Sequence, residues 1–164
     1  MAGVKPDLRE SPRGPRVETP VQPFQLPPVS LTTAQQQLVD DFALIEDAQE
    51  RLGAVVDRAK RLPPLPAGDR TEQNRVQGCV SQVWVVGELR AGRCFFRCDA
   101  DGPLVKGLVA FLCEFFSGAT PAEVAASTTD PLEALGLMRN LSPTRVNGLA
   151  AVRARIRELA KTLS

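Results

Sequence analysis

Apolar residues first recur at helical spacing at Leu38, Phe42 and Ile45, behind Thr32 and Thr33, either of which can N-cap a helix. A second helical stretch carries Leu52, Val55, Val56 and Ala59 on one face, and Pro63, Pro64 and Pro66 end it. The pattern predicts an antiparallel helix pair, or one bent helix, with the break near Asp47–Arg51. The period then shortens. Ser81–Val86 and Arg93–Cys98 are rich in strand-forming residues and bracket Gly87–Gly92, which reads as a hairpin. Arg75-Val76 adds a short strand upstream, so that Gly78-Cys79 falls in a loop. Trp84 is expected in the core. From Leu104 to Phe116 the chain is apolar nearly all round, as in a buried central helix, with Asp101 or Asp99 as its cap and Pro103 in its first turn. Lys106 interrupts this helix and is read as its solvated stripe. Thr120-Pro121-Ala122-Glu123 is a capping box, Asp130-Pro131 repeats the logic, and Ser142-Pro143 opens the last helix. That helix has Leu149, Val152, Ile156, Leu159 and Leu163 on its apolar face, with Arg153, Arg155 and Arg157 largely opposite. Helices, then strands, then helices predict an α+β fold: a small antiparallel sheet of two or three strands packed against helices.

Residues 1–31 stand apart. They hold seven of the 14 prolines, which denies regular backbone pairing, and their charges nearly cancel. They are expected to be a disordered tail ahead of one domain at 32–164. Composition fits this: 43% hydrophobic and 24% charged residues in 164 make one soluble globular unit. No apolar run approaches the roughly 20 residues of a membrane span. A net charge of +1 gives no broad field for nucleic acid or anionic lipid.

The chain has no histidine and no tyrosine. That removes the Ser-His-Asp triad, the Cys-His dyad and histidine-bearing metal sites. Residues 1–31 lack the apolar core of a signal peptide, so the cysteines are expected reduced and unpaired in the cytoplasm. Cys79, Cys94, Cys98 and Cys113 follow C-x14-C-x3-C-x14-C, without the paired C-x2-C knuckles of common zinc sites. Cys94 and Cys98 on one strand lie roughly 13 Å apart, at about 3.3 Å per residue, too far to share one zinc unless the strand bulges. Cys94, Cys98 and Cys113 read as small buried hydrophobes. Cys79 follows a glycine at a strand edge, where a partner's backbone or sulfur can approach. Arg75, near in sequence, and arginines near in space can lower a thiol's pKa. On the residues alone, a reactive Cys79 and a buried one stand about level.

The segment Arg75-Val76-Gln77-Gly78-Cys79-Val80-Ser81-Gln82-Val83-Trp84 resembles the active-site region of the SufE/CsdE family, the sulfur acceptors of cysteine desulfurases. The likeness runs from Leu31 to Ala160. It includes Phe42–Asp47, Leu62–Pro66, Asp99–Asp101, Val105–Leu108, and Leu141–Arg145 with Gly148-Leu149. Arg51-Leu52-Gly53-Ala54 departs from it, standing where the family often has aromatic residues, and Val80 stands where glutamine is common.

The resemblance implies a SufE/IscU-like fold and a specific chemistry. Cys79 takes persulfide sulfur from a pyridoxal-phosphate cysteine desulfurase, SufS-like or CsdA-like, and stimulates it. The sulfur then passes to a SufBCD-type scaffold for iron–sulfur cluster assembly. Such a chain is a persulfide carrier and desulfurase activator rather than a stand-alone enzyme, with no cofactor or metal of its own. Arg145, matching an arginine near the last helix's start, is implied to hold the Cys79 thiolate or contact the desulfurase. Gln82, Asp101 and Gly78 are implied in supporting or docking roles, and a homodimer is compatible with the family. The competing expectation is a metal- or cluster-binding scaffold that uses several cysteines. A thiol tucked against apolar residues would need loop movement to react.

Overall fold

Helix α1 (Thr33–Ala43) opens on a capping box: the Gln35 N–H donates to Thr32 Oγ1 at 3.2 Å, and the Thr32 N–H to Gln35 Oε1 at 3.0 Å. In this computed structural model the described residues are 32–164 and Gly3. The expected proline-rich tail at 1–31 therefore lies, but for Gly3, outside the described residues. Helix α2 (Ala48–Lys60) starts on Asp47, whose carboxylate accepts the N–H groups of Gln49 and Glu50 at 2.8 and 2.9 Å. The break thus falls at Leu44–Asp47, earlier than the expected Asp47–Arg51, and Ile45 sits in the link. Arg51 is the reason the link holds. Its guanidinium donates to the carbonyl of Phe42 at the end of α1, to that of Ile45 in the link, and to Leu135 O at 2.5 Å.

Strands β1 (Val83–Arg90) and β2 (Arg93–Ala100) pair antiparallel, from Val83 opposite Ala100 to Arg90 opposite Arg93. Ala91 and Gly92 turn the hairpin with φ of 50° and 76°, the left-handed pair of a two-residue loop. The expected upstream strand shrinks to a single bridge, Arg75 with Trp84, and the sheet has two strands. Val83, Val85, Cys94 and Phe96 face the core. Alternation then puts Trp84 on the outer face, half-buried, with the Arg70 guanidinium 5.8 Å from its ring centre, so it is not a core residue.

Helix α3 (Pro103–Phe116) is the buried centre, with nine residues from Gly107 to Phe116 shielded from solvent. Its N-cap is Gly102, without a side-chain bond, so neither Asp101 nor Asp99 caps it. Asp99 is instead buried. Its carboxylate accepts the N–H groups of Leu65 and Ala100 at 3.1 and 2.9 Å and pairs with Arg70 at 2.5 Å and Lys106 at 3.6 Å. Lys106 therefore answers a buried charge and is only half-exposed. α2 packs closely on α3 at Gly107, where a Cβ would come 2.9 Å from Val56 Cα.

Short helices α4 (Pro121–Ala126) and α5 (Pro131–Ala134) carry the expected caps at Thr120 and Asp130. Helix α6 (Pro143–Leu163) opens on Ser142 and buries Leu149, Val152, Ile156 and Ala160, with Leu159 and Leu163 partly covered. Arg153, Arg155 and Arg157 on it are half-buried rather than solvated. Arg153 pairs with Asp130 at 2.9 Å, Arg155 donates to Gln73 O at 2.9 Å, and Arg157 donates to Ser127 O at 3.2 Å. Among the described residues no helix is long and apolar enough to cross a membrane.

Candidate functional site

The chain leaves Val76, whose N–H donates to Val83 O at 2.8 Å, and loops out before β1 begins. Gly78 sits at φ 90°, a region that L-residues with a Cβ rarely adopt. This turn aims Cys79 at the first turns of α6. The Cys79 Sγ donates to the Gly148 carbonyl at 3.2 Å. A carbonyl inside a helix already accepts one N–H, and its second lone pair is free for such a donor. The fit depends on Gly148, since a Cβ there would come 3.0 Å from Sγ. Val105, Leu108, Val109 and Leu149 wall a small cleft around the thiol, with Thr144 and Arg145 at its rim. Its interior of about 30 Å³ has room for one water-sized group. Val80, beside Cys79, is 82% exposed.

Burial pushes the Cys79 thiol up, so the docked sulfur is held as the protonated, unreactive form. The lowering by cations expected from the sequence is absent in this conformation. Arg75 is turned to Glu72, at 3.3 Å. Arg145 is exposed at the rim, and its N–H contacts Ser142 Oγ at 3.4 Å.

Cys79 and Arg145 thus line one cleft, and Gly78 is the turn that precedes it. Gln82 and Asp101 do not line it. They meet each other at the open end of the hairpin, where the Asp101 N–H donates to Gln82 O at 3.2 Å, and both side chains are exposed. The other thiols lie apart: Cys94 and Cys113 are buried and Cys98 is half-buried. Among the described residues no three or more Cys, Asp or Glu are grouped to hold a metal ion. Gly148 is the site residue to which sequence reasoning gave no role. Its signal was a glycine inside a helix, a position about 1 kcal/mol worse than alanine unless packing needs it.

A two-stranded α+β domain that presents one loop cysteine against its last helix defines the class. Residues 36–160 match the SufE model, described as an Fe-S metabolism associated domain. An uncharacterized SufE-like protein of Rhizobium meliloti is 36% identical over 134 residues, 79% of this chain and 96% of the relative. One from Rhizobium etli is 39% identical over 130 residues, covering 76% and 88%. The solution structure of a hypothetical protein from Thermus thermophilus superposes with a TM-score of 0.68 over 82% of this chain and 98% of its own, at 22% identity, and so shares the fold. The chain belongs to the SufE family, a family associated with iron–sulfur metabolism.

Proposed function

We propose that Cys79 accepts sulfur from the persulfide of a pyridoxal-phosphate cysteine desulfurase and passes it to a cluster-assembly scaffold, stimulating the desulfurase by clearing its product. The observation that carries this reading is the Cys79 thiol itself, mounted on a glycine-hinged loop and docked by one hydrogen bond in an apolar cleft. In the acceptor step the Cys79 thiolate attacks the outer sulfur of the donor persulfide. The bond between the two donor sulfurs breaks, and the donor cysteine leaves as a thiolate. The proton of the Cys79 thiol and that of the outer sulfur are redistributed to the leaving thiolate and solvent, with no net oxidation. The exchange needs no imidazole, which accords with a chain that has no histidine. In this reading Gly78 lets the loop swing, Arg145 meets the emerging thiolate or the donor surface, and Gln82 with Asp101 forms a docking contact.

Intact-mass analysis after incubation with a cysteine desulfurase and cysteine tests the reading. A reducible gain of about 32 Da per sulfur is expected, mapping to Cys79. The Cys79→Ser variant is expected to lose both that gain and the stimulation of sulfide release. Stimulation equal to wild type by Cys79→Ser, or an unmodified Cys79 beside an active donor, would defeat the proposal.

A further inference from the structure

The largest groove among those described lies away from Cys79. Arg58, Arg61, the Leu62–Leu65 segment, Arg97 and Glu114 surround it, and it encloses about 590 Å³. Two thiols line it. Cys98 comes from β2 and is half-buried, and Cys113 comes from α3 and is 3% exposed. Both side chains line this one groove, Cys98 from the sheet and Cys113 from the helix packed on it. The Cys113 thiol is pushed well up, first by a hydrogen bond its S–H donates toward Cys98 and then by burial. Arg58 pairs with Glu114 and Arg97 with Asp69 at 3.5 Å, so Arg61 carries the positive excess of the lining. Two neighbouring thiols, one half-exposed and one shielded, beside the Arg61 cation suit an attacking and a resolving cysteine.

We propose that Cys98 and Cys113 form a second thiol site, a dithiol that exchanges with carboxylate-bearing low-molecular-weight disulfides entering this groove. The Cys98 thiolate attacks one sulfur of the disulfide RSSR, which releases RS⁻ and leaves a mixed disulfide, Cys98–S–S–R. The Cys113 sulfur then attacks the Cys98 sulfur, the bond from that sulfur to the SR group breaks, and a second RS⁻ departs. The two protons lost by the protein thiols end on the two released RSH molecules. The protein thiols are oxidised by two electrons and RSSR is reduced by two. The product bond staples β2 to α3 and leaves Cys79 out of the reaction. This site does not depend on the sulfur-acceptor reading, and either can fail alone.

The test uses the reduced full chain, oxidised glutathione, an alkylating quench and non-reducing peptide mapping. The expected result is a cross-linked pair of peptides containing Cys98 and Cys113, lighter by two hydrogen atoms, with no glutathione retained on either. Cys113→Ala is expected to stop at a stable glutathione adduct on Cys98, and Cys98→Ala to leave Cys113 fully alkylatable under denaturing quench. Wild-type protein in which Cys98 and Cys113 both remain alkylatable, or in which Cys98 keeps its glutathione unresolved, would overturn the proposal. The ligand class is read from rates. Arg61→Glu is expected to lower the rate ratio of oxidised glutathione to neutral 2-hydroxyethyl disulfide several-fold. An unchanged ratio would remove the carboxylate preference.

Discussion

At the scale of single residues, the Cys79 environment turns on one atom that Gly148 lacks. Gly148→Ala sets two effects against each other: a helix-propensity gain of about 1 kcal/mol and overpacking that costs about 1–3 kcal/mol. The added Cβ would meet Sγ at 3.0 Å, and the loop is the softer partner, so the thiol is what moves. Losing a hydrogen bond worth about 1 kcal/mol raises the open fraction of the loop roughly fivefold. Alkylation of Cys79 at fixed pH is expected to speed up by that factor, and a wild-type rate would show that the thiol is not held there. In the wild type the same rate should climb with pH through a midpoint above the ordinary thiol range, because burial disfavours the thiolate. The loop position of Cys79 was legible in the sequence, since a glycine-preceded thiol falls just ahead of a strand-forming run. The direction of its pKa was not. Arg75 is a close neighbour along the chain, yet it points to Glu72, and side-chain direction is a property of the folded loop.

At the scale of elements, the helix starts were the most readable features because each cap is a local hydrogen bond. Thr32, Thr120, Asp130 and Ser142 all cap where the sequence expected. Two assignments failed for a shared reason, namely that the polar group was recruited by a distant partner. Asp99 was drawn into the core by Leu65, Arg70 and Lys106, and the break before α2 was drawn forward by Asp47 with Arg51. Arg51→Ala strands carbonyls at the end of α1, in the link and at Leu135, with charge-assisted bonds worth about 1.5–3 kcal/mol. A loss of about 2 kcal/mol in urea unfolding is expected, with the slope unchanged. A loss under about 0.5 kcal/mol would show that water replaces the guanidinium freely.

At the scale of the whole molecule, Asp99 ties together the proline segment, β2 and the start of α3. Burial alone would raise its carboxyl. The N–H groups of Ala100 and Leu65 and the charges of Lys106 and Arg70 outweigh that and hold it below the usual carboxylate range. A carboxyl depressed in the folded state contributes stability that is present above its unfolded pKa of about 3.9 and is lost as pH falls through the lower folded value. Urea midpoints should therefore drop below about pH 4. Asp99→Asn is expected to cost about 2 kcal/mol at neutral pH and to flatten that acid step. An acid step of wild-type size in Asp99→Asn would assign it to other carboxylates. The α+β architecture itself was readable from the order of periodicities. The two-strand count was not, because Arg75-Val76 makes one bridge and then gives way to the Gly78 turn.

Under the proposed function, the Cys79–Gly148 hydrogen bond would also act as a latch keyed to a proton. The docked sulfur stays because it has a hydrogen to give to a carbonyl oxygen. Under the proposed function, the loaded sulfur is a persulfide, a stronger acid than a thiol, and its anion has nothing to donate and is repelled by that oxygen. The empty carrier is therefore the form that closes, and the loaded carrier the form that stays open. Cargo would then set the loop's position, so that an unloaded thiol hides from oxidants while a charged one faces its recipient.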